Sequence, residues 1–252
     1  ILERVKIDDT LMLAIRDEYI NIYYRGGNII RIKANPAPTS FIFDFDEKYS
    51  LSESKELFNN LGLNQKVTTT DQVKAWITLI PQLKELMDFW FNKNPKMERE
   101  FQQLVVRENN SSSISGTTEY FITDIEFADS QEKFRFDALA IKWPALNRKD
   151  GNKCIPAFIE MKYGDGSFKG KSGLVKHLQD ITSLLSDRGK YQKILDIMNT
   201  QFKQLDKLEL FNFNHCSNNT KVNISPTSKP ECIILIANHN PRSKTLKTII
   251  TC

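Results

Sequence analysis

The residues with the most chemical content are Glu160 and Lys162, two apart at the end of the apolar run Phe158-Ile159-Glu160-Met161-Lys162. In a strand, side chains alternate between faces, so this spacing puts the acid and the base on one side and Met161 on the other. Asp137 lies 23 residues upstream inside a second apolar run, Phe134-Arg-Phe-Asp-Ala-Leu-Ala-Ile141, where a sheet-facing side chain belongs. A carboxylate there costs several kcal/mol unless something offsets its charge, and a divalent cation would do so. Two carboxylates and a backbone carbonyl are hard oxygen donors suited to Mg²⁺, which takes its remaining ligands from water and substrate phosphate. A neighbouring lysine can position the attacking water or stabilise charge on the phosphate, so the residue types fit phosphodiester hydrolysis.

The triplet alone is uninformative. Chance gives about three acid-x-Lys triplets in a chain of this composition, and three occur: Asp46-Glu47-Lys48, Glu53-Ser54-Lys55 and Glu160-Met161-Lys162. The second falls in a polar helix start and reads as a solvated face. The first, with Asp44 beside it, is a better decoy, but no strand and helix follow it in the required order.

The elements that must position the third triplet are legible from period and turn signals. Two β-rich runs flank Arg25-Gly26-Gly27-Asn28 and predict a hairpin over 18–34; 41–45 predicts a further strand. Apolar residues at Val73, Trp76, Ile77, Ile80, Leu83, Leu86, Met87 and Trp90 predict helix, with Pro81 starting a new helix or kinking one. The Trp76 and Trp90 stripe reads as core or interface. After Pro95 a helix with an apolar face of Met97, Phe101, Leu104 and Val105 is expected. Three strands follow at 119–128, 134–143 and 156–164, with short connections that predict a meander. A helix at 170–185 carries Leu174, Leu178, Ile181 and Leu185 on one face; a second carries Tyr191, Ile194, Met198, Phe202 and Leu205. The run 231–238 predicts a buried central strand. From residue 95 the order is helix, three strands, two helices, strand.

Only the third triplet has its acid in the preceding strand and this element order around it, and here the sequence resembles the PD-(D/E)XK nuclease superfamily. The resemblance covers residues 95–240. It implies a mixed α/β, restriction-endonuclease-like α-β-β-β-α-β core with an N-terminal β-hairpin and helical extension. The expected division is a strand-rich module of unknown role at 1–70 and a nuclease-like domain at 71–252. Asp137 is preceded by Phe rather than the motif's Pro, a position at which many members vary. The resemblance implies that Asp137 and Glu160 bind Mg²⁺ or Mn²⁺, that Lys162 is catalytic, and that cleavage leaves 5′-phosphate ends. Many members add a glutamate from the first helix. Glu98 and Glu100 flank its apolar face symmetrically, so both are candidate metal ligands, although the Glu-Arg-x-apolar pattern of Holliday-junction-resolving relatives favours Glu98. Glu126 in the first strand is a weaker candidate. Lys176 and Gln179 lie off the apolar stripe of the helix after the third strand, where the family often places a Gln or Lys, and are candidate substrate-binding residues. The glycine-rich loop before that helix, with Lys169 and Lys171, could wrap a nucleic-acid backbone but lacks the spacing of a nucleotide-binding loop.

Charge agrees with an acidic polymer as partner. The net charge is +4, and Lys142 to Lys207 holds 13 Lys/Arg against 7 Asp/Glu. Four scattered cysteines and three histidines without helical spacing argue against a zinc site, and His215-Cys216 reads as surface loop. There is no apolar run of membrane-helix length and no signal-peptide pattern at the N-terminus, so a cytoplasmic protein without a membrane partner is expected. A chain beginning at Ile1 is expected to have lost its natural start. The sequence thus predicts a metal-dependent nuclease, most readily on DNA, with a homodimer left open. The alternative is a catalytically inactive module of the same fold that binds nucleic acid or protein. A third, weaker idea is an effector whose N-terminal part senses a signal and switches the nuclease.

Overall fold

The computed structural model describes residues 1–36, 40–50, 55–63, 65–113, 115–129, 134–168, 173–213 and 221–250. The chain is mixed α/β and divides into two compact units, Ile1–Gln103 and Leu104–Cys252.

The first unit is a five-stranded antiparallel sheet in sequence order: β1 (Leu11–Ile15), β2 (Tyr19–Tyr24), β3 (Gly27–Ala34), β4 (Phe41–Asp44) and β5 (Lys66–Val67). The hairpin expected at 18–34 is β2–β3. Its turn residues Arg25 and Gly26 both have positive φ, 50° and 70°, the combination a two-residue turn needs to match strand twist. Any Cβ added at Gly26 would lie 2.5 Å from the Arg99 backbone, so close approach and backbone conformation both require glycine there.

Helix α1 (Leu2–Ile7) precedes the sheet and the short α2 (Lys55–Asn60) follows β4. Helix α3 (Thr70–Lys93) opens with a Thr69/Gln72 capping box and runs through Pro81 unbroken, rather than restarting there. It buries Trp76, Ile80, Leu83, Leu86, Met87 and Phe91 with Ile22, Ile30 and Phe43 of the sheet. At about 1.5–3 kcal/mol per buried large side chain, this face outweighs what Pro81 costs the helix. It also places 71–93 with the strand-rich module. The division therefore falls at Gln103/Leu104, not near residue 70, because α3 covers the first sheet.

Helix α4 (Met97–Asn110) runs across that division. Its buried residues are Gln102, Gln103, Val106 and Asn110, while Met97 and Leu104 are exposed, so the expected apolar face is not the buried one. The reason is backbone satisfaction. The Gln103 amide accepts from Gly26 N–H and donates to the Thr10 and Tyr23 carbonyls; Asn110 donates to the Ile122 carbonyl and accepts from its N–H.

The second unit carries a four-stranded sheet in the order β6 (Tyr120–Asp129), β7 (Phe134–Lys142), β8 (Ile155–Tyr163) and β9 (Glu231–Ala237). The first three form the expected antiparallel meander; β9 runs parallel to β8. Helices α5 (Leu174–Ser186) and α6 (Arg188–Lys207) intervene, and α7 (Thr245–Ile250) follows β9. β9 is an edge strand with alternating exposure, not the buried central strand its apolar run suggests. On α5 the buried residues are Leu174, Ile181 and Leu184, whereas Leu178 and Leu185 are exposed. The stripe is rotated from the expected one, with His177 in line with Leu174 and Ile181. Among the described residues, no helix is long and apolar enough to cross a membrane.

Candidate active site

The β7–β8 ladder ends at Ala138↔Ile159, just before Asp137 and Glu160 would face each other. With no strand partner left, the Met161 N–H donates to Asp137 Oδ2 at 2.8 Å. A carboxylate thus stands where a strand carbonyl would, which fixes Asp137 at the ladder's end.

Glu160 and Lys162 share a face of β8, as alternation requires. Lys162 Nζ lies 2.5 Å from Glu160 Oε1 and 3.7 Å from Asp137 Oδ2. The three groups that the sequence assigns to one pocket are brought together. Glu160 and Lys162 side chains are 2% and 3% exposed, and Asp137 is 12% exposed. Two carboxylates therefore share one ammonium in a poorly solvated place. Burial pushes the Glu160 carboxyl up, the adjacent Asp137 charge pushes it further, and Lys162 only partly opposes them, leaving it at about 8.

A fourth residue, His177, completes the cluster. Its Nε2 lies 3.0 Å from Glu160 Oε1. The sequence does not single out His177, because the spacing of the three histidines bears only on zinc ligation. The signal was a histidine on the buried stripe of the helix that follows the Glu-x-Lys strand.

The other candidates are placed differently. Lys176 and Gln179 are exposed on α5, and Lys176 pairs with Asp180 on its own helix. Glu98 and Glu100 sit in the first turn of α4, within the N-terminal unit, where Arg25 Nη2 donates to Glu100 at 3.0 Å. Glu126 falls between the pairs Ile125↔Ala138 and Phe127↔Phe136, level with Asp137, at φ 50°. Such a conformation is strained for a non-glycine residue, and its carboxylate lies 3.8 Å from Arg135. The decoy triplet is local: Asp46 caps the Lys48 N–H at 3.0 Å and pairs with its side chain. Lys169, Lys171, Glu53 and His215-Cys216 lie outside the described residues.

The donor chemistry fits a divalent cation held by few protein ligands. Asp137 and Glu160 offer carboxylate oxygens beside a single buried ammonium, and burial together with the Asp137 charge favours a proton on Glu160 that a bound cation would displace. Among the described residues, no group of three or more His, Cys, Asp or Glu forms a metal cage. No protein-family model, curated protein or solved structure matches the chain.

Proposed function

We propose that the C-terminal unit is a Mg²⁺- or Mn²⁺-dependent nuclease that hydrolyses phosphodiester bonds, most readily in DNA, on a restriction-endonuclease-like core. The observation that carries the reading is the convergence of Asp137, Glu160 and Lys162 at the end of the β7–β8 ladder, on a sheet whose order from α4 is helix, three strands, two helices, strand.

Asp137 and Glu160 would hold the cation. When bound, it supplies a Lewis acid that draws charge from a phosphodiester oxygen and acidifies water. Lys162 donates to Glu160 Oε1 and His177 Nε2 faces the same oxygen, which orients the carboxyl group and leaves its second oxygen for ligation. Lys162 Nζ, close to both acids, is placed to orient the attacking water and to offset charge gathering on the phosphate. Water adds across the P–O3′ bond, giving a 5′-phosphate and a 3′-hydroxyl. Lys176 and Gln179 on α5 are the candidates for contacts to substrate.

A second reading, an inactive module of the same fold that binds nucleic acid or protein, is favoured by one observation: the near-complete burial of Glu160 and Lys162 is also what a structural ion pair shows. Incubating the full chain with plasmid, single-stranded DNA and RNA in Mg²⁺ and in Mn²⁺, beside Asp137→Ala and Lys162→Ala, separates the two. Cleavage lost in both variants is the expected result. Cleavage that persists in both removes the assigned site, and binding without cleavage in every condition selects the inactive module.

A further inference from the structure

The basic excess lies over 142–207, yet the last 21 residues also hold three cations, Arg242, Lys244 and Lys247, and no acidic side chain. The structure gives this segment a definite place. It leaves the sheet at the carboxyl end of β9, beside the carboxyl end of β8, where Lys162 pairs with Ile236 and Tyr163 with Ala237. The chain beyond β8 stays in contact: Gly164 N–H donates to the Ala237 carbonyl at 2.8 Å.

One carboxylate then pins the segment. Asp165, three residues after Lys162, sits 2.6 Å from His239 Nδ1 and accepts from the Asn240 N–H at 3.3 Å. Phe168 packs against the His239 ring at 5.9 Å between centroids. Side chains set the turns that follow: Asn240 Oδ1 accepts from the Arg242 N–H and Ser243 Oγ from the Thr245 N–H. Arg242, Lys244 and Lys247 are exposed on this braced segment. A loop held in shape by buttressing hydrogen bonds, presenting three cations and no anion at the sheet end that carries the site, is arranged for a polyanion passing that end.

We propose that the segment 239–247 is the phosphate-contacting surface of the C-terminal unit, with Arg242, Lys244 and Lys247 engaging the backbone of duplex DNA and Asp165–His239 holding them in place. The inference rests on the nuclease reading and names the surface that delivers the substrate to that site.

The test is binding of the full chain to a labelled DNA duplex in EDTA, which excludes cleavage, over a range of salt concentrations. The triple variant Arg242→Ala/Lys244→Ala/Lys247→Ala is expected to bind about tenfold or more weakly, with the slope of log affinity against log salt reduced by about two to three. It should keep the parent's Mn²⁺ affinity by calorimetry. An equal-charge control in the N-terminal unit, Lys66→Ala/Lys93→Ala/Lys96→Ala, should leave the slope nearly unchanged. His239→Ala, which loosens the brace without removing a strip cation, should fall between parent and triple variant. Unchanged binding in the triple variant, an equal loss in the control, or a parent that does not bind DNA overturns the proposal. Failure of the nuclease reading shows separately, as a parent that binds DNA but neither binds Mn²⁺ nor cleaves.

Discussion

Each unit of this protein sets acids beside cations, and the two differ in how far water is excluded. In the N-terminal unit three acids and three cations meet in partly exposed pairs: Asp8 lies 2.6 Å from Lys84 and 2.7 Å from Arg4, while Arg25 lies 2.7 Å from Asp88 and 3.0 Å from Glu100. Burial alone would raise the Asp8 carboxyl, but the Lys84 ammonium and Thr10 override it and hold it down at about 2. In the C-terminal unit two acids share one lysine, and Glu160 goes up to about 8. Matched networks stabilise the fold they sit in. Two acids facing one lysine away from water are under an electrostatic strain that a bound cation would relieve, so the two clusters should respond in opposite directions to the same kinds of change.

The largest expected effect is on activity. Asp137→Asn should reduce cleavage on the order of a thousandfold and weaken Mn²⁺ binding, while making the metal-free protein no less stable, because it removes the repulsion on Glu160. A thermal melt with and without Mn²⁺ checks both; an Asn variant that is destabilised without metal would place Asp137 in a structural network instead. The matching change in the other unit, Lys84→Met, removes one of the two cations facing Asp8, leaves Arg4 in place, and should cost about 1–3 kcal/mol, read by urea unfolding, with cleavage per folded molecule unchanged.

The pH dependences should also oppose one another. Asp8 has a folded value below its ordinary 3.8, so its contribution is present above that pH and is lost as pH falls toward about 2. Glu160 has a folded value above its ordinary 4.5, so the folded state holds the proton more tightly, and the metal-free protein loses this contribution as pH rises from about 4.5 to about 8. Unfolding followed at acid pH, and at pH 5 against pH 8 with and without Mn²⁺, separates the two. If Mn²⁺ does not raise stability more at pH 8 than at pH 5, the acid pair is not a cation site. The smallest effect belongs to Lys74→Ala: the Lys74–Asp71 pair is 70% and 90% exposed, and its loss should shift stability by less than about 0.5 kcal/mol.

Legibility followed the periodicities. The hairpin, the meander and the alternation that sets Glu160 beside Lys162 could be read because a period of two assigns faces without knowing what lies across them. The helices were harder. On α4, Gln103 and Asn110 are buried because strand and turn backbone groups need their amides, a demand invisible in the helix's own residues. On α5 the stripe turned toward Leu174, His177 and Ile181, since a histidine paired with a buried carboxyl group can occupy a core position that polarity alone would assign to solvent.

What the sequence alone determined is the local part: which segments are strands, where they turn, and that Asp137, Glu160 and Lys162 fall at strand positions able to share a pocket. The tertiary structure decided which groups meet there and in what charge balance. The ladder's early end exposed the Met161 N–H to Asp137, α5 delivered His177, and the segment after β9 came to rest on Asp165. Backbone period is a property of neighbouring residues, whereas the electrostatic state of a buried group depends on whatever distant chain happens to desolvate and face it.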